Sequence, residues 1–177
     1  MKYSLHIILL LTVVLFFSAC HQNKKEISEE EVRKTKESLV NVNKILVKKD
    51  AEKIHAYVKR RGWDMEETNT GLWYMIYDHG KGEKAETGLV ATINYNISLL
   101  DGTECYNSEV DGPKKFKIGQ GGVEAGLEQG ILLMHVGDKA RFIMPPHLAY
   151  GLIGDSEKIP ARAIIVYEVE LTKLDKS

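Results

Sequence analysis

Cysteine is scarce in this sequence: only Cys20 and Cys105 occur among 177 residues. Two cysteines exclude a disulfide framework and a four-thiolate zinc site. An excess of basic charge is also missing, since 24 Lys and Arg residues stand against 25 Asp and Glu residues and the net charge is -1. We therefore expect no nucleic-acid partner. The chain does have 44% hydrophobic and 28% charged residues, enough to bury the core of one or two small domains.

The usual patterns of a catalytic or cofactor site are absent as well. The six histidines lack the paired spacing of a metal site, and there is no Gly-x-Ser-x-Gly nucleophile motif. The glycine-rich segment 119–122 is not followed by the Gly-Lys-Ser/Thr of a phosphate-binding loop, so a tight turn is the better interpretation. Cys105 has no base near it in sequence, and a lone cysteine is by default a small buried group. We expect no metal and no cofactor.

The N-terminal segment has the features of an export signal. Lys2 precedes an apolar run from Leu5 to Phe17, whose helical length of roughly 20 Å is short of a ~30 Å hydrocarbon core. The segment 17–20, Phe-Ser-Ala-Cys, resembles the lipobox of bacterial lipoproteins. The resemblance implies a signal peptide over 1–19, lipidation of Cys20 and a tether over 20–27. The alternatives are an ordinary signal peptide cut after Ala19, or a chance cysteine.

Lipidation would anchor the protein in a bacterial cell envelope. Stable anchoring requires more than one acyl chain, and the lipoprotein resemblance implies three. His21 stands where an aspartate is a retention signal for the inner membrane in some bacteria, so its presence favours the outer membrane, with the protein facing the periplasm.

Residues 28–70 form a predicted helical lead. Ser28 and Glu31 make a capping box, and neither Pro nor Gly interrupts residues 28–61. Apolar residues at helical spacing predict one long amphipathic helix, or two consecutive helices that meet at the polar segment 48–50. These residues are Val32, Leu39, Val42, Leu46, Ile54, Tyr57 and Val58. Their stripe needs a cover, which is either the protein's own C-terminal domain or a second copy in a homodimer paired through residues 28–61.

From Gly71 onwards, short alternating or β-branched runs predict an antiparallel sheet. The runs are 72–77, 90–100, 140–144 and 164–171. All four prolines, at positions 113, 145, 146 and 160, fall in this part of the chain, where they suit turns between strands. Val123, Leu127 and Ile131 predict one helix over 123–133 that lays an apolar face on the sheet. The fold class is therefore α+β.

Four motifs in residues 85–174 carry a family resemblance. They are Leu100–Thr103, Gly126–Gly130, Met134–Lys139 and Pro145-Pro146-His147-Leu148-Ala149-Tyr150-Gly151. Their order and spacing resemble the FK506-binding-protein (FKBP) type of peptidyl-prolyl cis-trans isomerase. The resemblance implies, for residues 71–177, a twisted antiparallel sheet wrapped on one short helix, with an apolar pocket that takes a proline side chain. A signal with a lipobox, a helical lead and one such domain also resemble the gliding-motility-associated lipoproteins of that family.

The resemblance also assigns roles to individual residues. It places Tyr95 on one pocket wall, gives the Tyr150 hydroxyl a bond to a substrate carbonyl, and gives the backbone N–H of Glu124 a bond to the carbonyl after proline. It implies further substrate contacts at Cys105, Tyr106, Val123, Leu127, Ile159 and Tyr167. The substrates would be Xaa-Pro segments of exported proteins.

Two positions depart from the family pattern, because Cys105 and Tyr106 replace a wall phenylalanine and a pocket aspartate. If this sequence is shifted by one residue relative to the family pattern, Tyr106 takes the place of the wall phenylalanine instead. The damaged pocket leaves a second hypothesis open, a non-catalytic periplasmic chaperone or assembly module on the same fold.

Overall fold

The computed structural model describes residues 28–176. The predicted signal peptide, the lipidation site at Cys20 and the tether therefore lie outside the described residues. The helices are α1 (Glu29–Arg61), α2 (Ser108–Asp111) and α3 (Ala125–Ile131), and a 3-10 turn covers Pro146–Leu148. The strands are β1 (Glu66–Glu67), β2 (Trp73–Asp78), β3 (Val90–Leu99), β4 (Glu104–Asn107), β5 (Lys114–Lys117), β6 (Lys139–Met144) and β7 (Ile165–Asp175).

The strands form one antiparallel sheet in the order β1-β2-β6-β7-β3-β4, with β5 also paired to β3. Its longest ladder joins β3 to β7 from the pair Val90 and Asp175 to the pair Leu99 and Ile165, and a bulge interrupts it between Thr92 and Ile93. The predicted α+β class is confirmed, and so are the four predicted strand runs, which correspond to β2, β3, β6 and β7. The predicted helix over 123–133 is observed as the shorter α3.

One face of the sheet carries the main core, which α3 covers. Leu127 and Ile131 of α3 are fully buried there. The helix lies very close to β6, because a Cβ on Gly130 would be only 2.6 Å from Cζ of Phe142. Glycine at this position therefore lets the short helix pack directly on an aromatic ring.

The other face of the sheet carries a second core, formed with the last part of α1. Side chains alternate across a strand, so Phe142 and Ile143 of β6 point to opposite faces and join different cores. The second core contains Ile54, Tyr57, Val58, Trp73, Ile143, Ile164 and Val166. The protein's own domain therefore covers this part of the apolar stripe, as one of the two alternatives predicted.

Helix α1 is continuous, so of the two predicted arrangements the structure has the single long helix. The predicted capping box is present: the Glu31 N–H donates to Ser28 Oγ at 3.2 Å, and the Ser28 N–H donates to Glu31 Oε2 at 3.1 Å. The polar segment 48–50 lies within the helix, and there Asp50 is buried and accepts a hydrogen bond from Arg162 at 2.7 Å.

The chain divides into two compact units after Val42, and the second unit is Asn43–Ser177. The second unit starts inside the predicted lead of 28–70, because Ile54, Tyr57 and Val58 pack on the sheet. In the first unit, the apolar side chains of α1 at Val32 and Leu39 are exposed.

Candidate active site

A cavity of about 360 Å³ opens where three connections meet. Lys114 is the first residue of β5, the segment 122–124 leads into α3, and Ala149 and Tyr150 follow the 3-10 turn. Its lining is Lys114, Gly122, Val123, Glu124, Ala149 and Tyr150.

Four polar side chains meet at this cavity, and we call Lys114, Glu124, Tyr150 and Tyr167 the inner cluster. Glu124 Oε1 accepts a hydrogen bond from the Tyr150 hydroxyl and lies 3.4 Å from Lys114 Nζ. Lys114 Nζ also donates to the Tyr167 hydroxyl oxygen at 2.9 Å. The family resemblance gives the Tyr150 hydroxyl to a substrate carbonyl, whereas here its partner is a carboxylate of the protein itself.

Glu124 is unusual because its carboxylate is buried. Its side chain is only 5% exposed, and its Oε2 atom has no hydrogen-bond partner among the described residues. A buried carboxylate is unfavourable unless it is paired, and Lys114 supplies the opposite charge. The Glu124 backbone N–H, the predicted donor to substrate, makes no hydrogen bond to another residue in 28–176.

Two tyrosine rings flank the lysine. The ring centroids of Tyr95 and Tyr167 are 5.8 Å apart, and Lys114 Nζ lies 5.1 Å from the first and 5.5 Å from the second. An ammonium group at this distance from a ring face is attracted by the ring's quadrupole. The rings and Glu124 together therefore hold the ammonium group beside the cavity.

The tyrosine hydroxyls of the inner cluster stay protonated at neutral pH. Burial raises the pKa of Tyr150, and its hydrogen bond to Glu124 raises that pKa further. Burial is also the main cause that raises the pKa of Tyr167, followed by the charge of Glu124. Both hydroxyls therefore keep their protons, and Tyr150 remains the donor in its bond to Glu124.

A second set of polar side chains connects β4 to the loop after Tyr150, and we call Tyr106 of β4 and Asp155, Glu157 and Lys158 of the loop the loop cluster. The Tyr106 hydroxyl donates to Asp155 Oδ2 at 2.5 Å and lies 3.3 Å from Glu157 Oε2, while Lys158 Nζ lies 4.8 Å from the Tyr106 ring centroid. Burial opposes ionisation of Asp155, but hydrogen bonds from Tyr106 and from the N–H groups of Glu157 and Ile159 outweigh it and lower its pKa.

Glycine shapes the start of this loop. Gly154 has φ +74°, and a Cβ there would be 2.1 Å from the carbonyl oxygen of Ile159. The close approach allows the Asp155 N–H to donate to that same carbonyl at 3.1 Å. A backbone hydrogen bond therefore closes the loop. The Tyr106 hydroxyl contacts the loop through the Asp155 carboxylate.

The structure brings only some of the predicted site residues to the cavity. Val123, Glu124 and Tyr150 line it, and Tyr95 and Tyr167 reach it through their contacts with Lys114. The others lie elsewhere: Leu127, Ile159 and Cys105 are buried in the main core, and Tyr106 is in the loop cluster. Cys105 Sγ lies 3.7 Å from the carbonyl oxygen of Lys158, so the buried thiol contacts the backbone of the loop.

Sequence reasoning missed Lys114, Asp155 and Glu157. A signal for Lys114 was present, because β5 alternates and places Lys114 on the same side as the buried Phe116. A lysine on the core side of a strand needs a partner, and Glu124 is that partner. Within residues 28–176, no group of three or more His, Cys, Asp or Glu side chains is arranged to hold a metal ion.

An antiparallel sheet on one short helix, with a tyrosine-walled cavity at the helix N-terminus, defines an FKBP-like α+β domain. Comparison with known proteins agrees. The family described as FKBP-type peptidyl-prolyl cis-trans isomerase matches residues 81–172, and the chain belongs to this family.

Relatives and solved structures extend the match beyond that region. The chain is 37% identical to the FKBP-type peptidyl-prolyl cis-trans isomerase FkpA of Aeromonas hydrophila over 131 residues, 73% of this chain and 47% of the relative. It is 30% identical to FkpA of Escherichia coli K12 over 160 residues, 84% of this chain and 58% of the relative. The chain thus spans about half the length of these two relatives.

Two crystal structures have the same fold. That of FkpA from Escherichia coli superposes with a TM-score of 0.60 at 26% identity, covering 93% of this chain and 81% of the other. That of AtFKBP13 also gives a TM-score of 0.60, at 30% identity, and covers 62% of this chain and 98% of the other. The first match includes most of the helical lead, whereas the second is the size of the domain alone.

Proposed function

We propose that the protein catalyses cis/trans isomerisation of Xaa-Pro peptide bonds in exported proteins. One observation carries the proposal: Val123, Glu124 and Tyr150, which the family resemblance assigns to the site, line one cavity although they lie up to 27 residues apart in sequence. Family membership supports the same activity.

The reaction needs no nucleophile. Rotation about a peptide bond has a barrier of roughly 18–20 kcal/mol, and an uncatalysed Xaa-Pro bond takes tens to hundreds of seconds to isomerise. The planar amide is more dipolar than the twisted transition state, so a site that removes water from the amide favours the twisted form. The Glu124 N–H and a second donor in the cavity would hold the flanking carbonyls, so that only the Xaa-Pro bond rotates.

A protease-free assay on a peptide of the Ala-Leu-Pro-Phe type tests the proposal, together with the refolding of a proline-limited protein. We expect kcat/KM to fall about tenfold in Tyr95→Leu, which removes the aromatic wall beside the cavity. Tyr77→Leu is the matched control, because Tyr77 is a half-exposed strand tyrosine whose ring lies beside Arg141, whereas the ring of Tyr95 lies beside the cavity-lining Lys114. A folded wild-type protein that accelerates neither reaction but prevents aggregation would support the chaperone alternative instead.

We also propose that the protein is a lipoprotein of a bacterial cell envelope, anchored in the outer membrane through Cys20. The apolar run 5–17 and the lipobox-like residues 17–20 support this location. None of the helices in residues 28–176 is both long enough and apolar enough to cross a membrane. Metabolic labelling with an alkyne fatty acid tests the anchor: wild type should be labelled and Cys20→Ala should not. Equal labelling of the two proteins would contradict the anchor.

The exposed apolar side chains of α1 support a third part of the proposal, pairing with a second copy of the chain. The exposed Val32, Leu39 and Val42 and the partly buried Leu46 follow one another at seven, three and four residues, the repeat of a two-stranded coiled coil. Leu39 is 64% exposed in the single chain. We expect a dimer by light scattering that Leu39→Glu converts to a monomer. Val40→Glu, at an exposed position off this stripe, should leave the dimer intact. A monomeric wild type would contradict the pairing.

A further inference from the structure

The Tyr150 hydroxyl is engaged by a carboxylate of the protein itself. A hydroxyl has one proton to donate, and Tyr150 donates it to Glu124 Oε1. Because this one proton is directed at Glu124, the hydroxyl can donate to a substrate carbonyl only by giving up its bond to the carboxylate.

Lys114 has a donor to spare. An ammonium group has three N–H bonds. Among residues 28–176, two of them have partners, Glu124 Oε1 and the Tyr167 hydroxyl oxygen. The Lys114 side chain is 25% exposed and lines the cavity. The Tyr167 hydroxyl also keeps its proton, but its side chain is fully buried. The third N–H of Lys114 is therefore the side-chain donor of the inner cluster that a ligand in the cavity can reach.

Lys114 Nζ and the Tyr150 hydroxyl bind the same carboxylate oxygen, so they lie side by side at the cavity. We propose that the Lys114 ammonium group binds a main-chain carbonyl of the substrate in place of the Tyr150 hydroxyl. This proposal rests on the isomerase function proposed above. Glu124 is then a positioning residue: its carboxylate holds the Lys114 ammonium group at the cavity and accepts the hydrogen bond that the Tyr150 hydroxyl would otherwise donate to the substrate. A charged donor makes a shorter and stronger hydrogen bond to a carbonyl than a neutral hydroxyl does.

A purely structural ion pair would predict something different. If Lys114 and Glu124 only stabilised the fold and the Tyr150 hydroxyl bound the substrate in wild type, the loss of that hydroxyl would cost the same activity whether or not the pair was present. If Lys114 is the donor, removing the pair releases the Tyr150 hydroxyl to the substrate, and the activity then depends on it. The effect of Tyr150→Phe in two backgrounds therefore separates the two roles.

The kinetic test measures kcat/KM for Tyr150→Phe in wild type and in the double variant Lys114→Met/Glu124→Leu, which removes both charges together. In wild type we expect a loss of no more than about threefold, because Tyr150 contacts Glu124 and not the substrate. In the double variant we expect a loss of about tenfold or more, because the hydroxyl has become the donor. Equal effects in the two backgrounds, or a loss of tenfold in wild type, would overturn the proposal.

A binding measurement separates failure of this proposal from failure of the isomerase function. Wild-type protein labelled with ¹³C at lysine Cε is titrated with the same proline peptide, and the resonance of Lys114 is followed against that of Lys115. Lys115 is the matched control because its side chain is 64% exposed and pairs with Asp175 instead of Glu124. A shift at Lys114 alone supports the proposal even if the protein does not accelerate isomerisation. No shift at Lys114 at saturating peptide overturns it, even if the protein is an active isomerase.

Discussion

The inner cluster and the loop cluster are built from the same two groups, a tyrosine hydroxyl that donates to a carboxylate, but their surroundings differ. In the inner cluster, Glu124 is buried, shares its Oε1 with Lys114 and leaves Oε2 without a partner in the described structure. In the loop cluster, Asp155 is half-exposed and accepts from Tyr106 and from two backbone N–H groups. One side chain and two backbone N–H groups bind the second carboxylate, whereas only side chains contact the first.

This difference indicates different roles. A half-exposed carboxylate that binds two N–H groups of its own loop fixes the shape of that loop at little cost. A buried ion pair costs desolvation free energy, and well-packed apolar residues could replace it without loss of stability. The inner cluster is therefore better explained by what it presents to the cavity than by the stability it provides, and each of the following predictions tests that distinction.

Lys114→Met should have the largest effect on stability. It leaves the buried Glu124 carboxylate without a countercharge, so we expect the free energy of unfolding to fall by about 3 kcal/mol. The double variant Lys114→Met/Glu124→Leu should return to within about 1 kcal/mol of wild type. Urea unfolding followed by circular dichroism measures both differences.

Lys115→Met is the control for this comparison. Lys115 is the next residue of β5, but its side chain is mostly exposed and lies 3.9 Å from Asp175 at the surface. Its loss should change the free energy of unfolding by about 0.5 kcal/mol or less. If Lys114→Met proved as mild as Lys115→Met, the inner cluster would behave as a surface pair and the contrast between the two clusters would be wrong.

Asp155→Ala should have a smaller and more local effect. The change removes the acceptor of three hydrogen bonds, from the Tyr106 hydroxyl and from the N–H groups of Glu157 and Ile159. We expect a loss of about 1–2 kcal/mol, since the freed groups can reach water. Hydrogen exchange should show the Ile159 amide exchanging faster, while amides of the β3–β7 ladder keep their protection.

Glu157→Ala provides the matched control on the same loop, because Glu157 contributes a single, longer contact of 3.3 Å to Tyr106. It should leave the exchange of the Ile159 amide unchanged. Faster exchange throughout the sheet in Asp155→Ala would show instead that the loop cluster supports the whole fold.

Much of the fold could be predicted from short-range patterns. The capping box at Ser28 predicted the start of α1, and alternation predicted the long strands, whereas the sequence left open whether residues 28–61 form one helix or two. The polar segment 48–50 could be taken for a break in the helix, because the partner of its aspartate lies far away in the sequence. Asp50 accepts a hydrogen bond from Arg162, 112 residues later in the chain. Sequence patterns report periodicity, and they do not report such distant partners.

For the candidate site too, the sequence indicated some residues and missed the contacts between residues that are distant in the chain. Motif positions selected Val123, Glu124 and Tyr150, and these three residues line one cavity, while their roles towards a substrate stay predictions. The charges within it were not predicted, because a lysine in a short polar strand and a glutamate before a helix both look like surface residues when taken separately. Only the folded structure shows that Lys114 Nζ lies 3.4 Å from Glu124 Oε1. It also shows that the Tyr106 hydroxyl donates to Asp155, 49 residues later in the chain.

The smallest expected effect is a shift in the ionisation of Asp155. Its pKa is lowered in the folded protein, where burial opposes ionisation but the hydrogen bonds from Tyr106, Glu157 and Ile159 outweigh that opposition. A carboxyl group whose folded pKa is depressed contributes stability above its unfolded pKa, about 3.9, and loses that contribution as the pH falls through the folded value. The loop cluster should therefore weaken only in acid, below about pH 4.

Tyr106→Phe tests how much of this depression comes from the hydroxyl. A ¹³C titration of the Asp155 carboxyl should show a midpoint below about 3.9 in wild type and a higher midpoint in Tyr106→Phe. Asp101 is the internal control, since its pKa is lowered by hydrogen bonds from Thr103 and should not respond to the change. An unchanged Asp155 midpoint would mean that the backbone N–H groups alone hold the carboxylate. Tyr106 would then support the loop through its ring and not through its hydroxyl. The two tyrosine–carboxylate pairs would have the same geometry, but the tyrosine hydroxyl would not stabilise the carboxylate of the loop cluster.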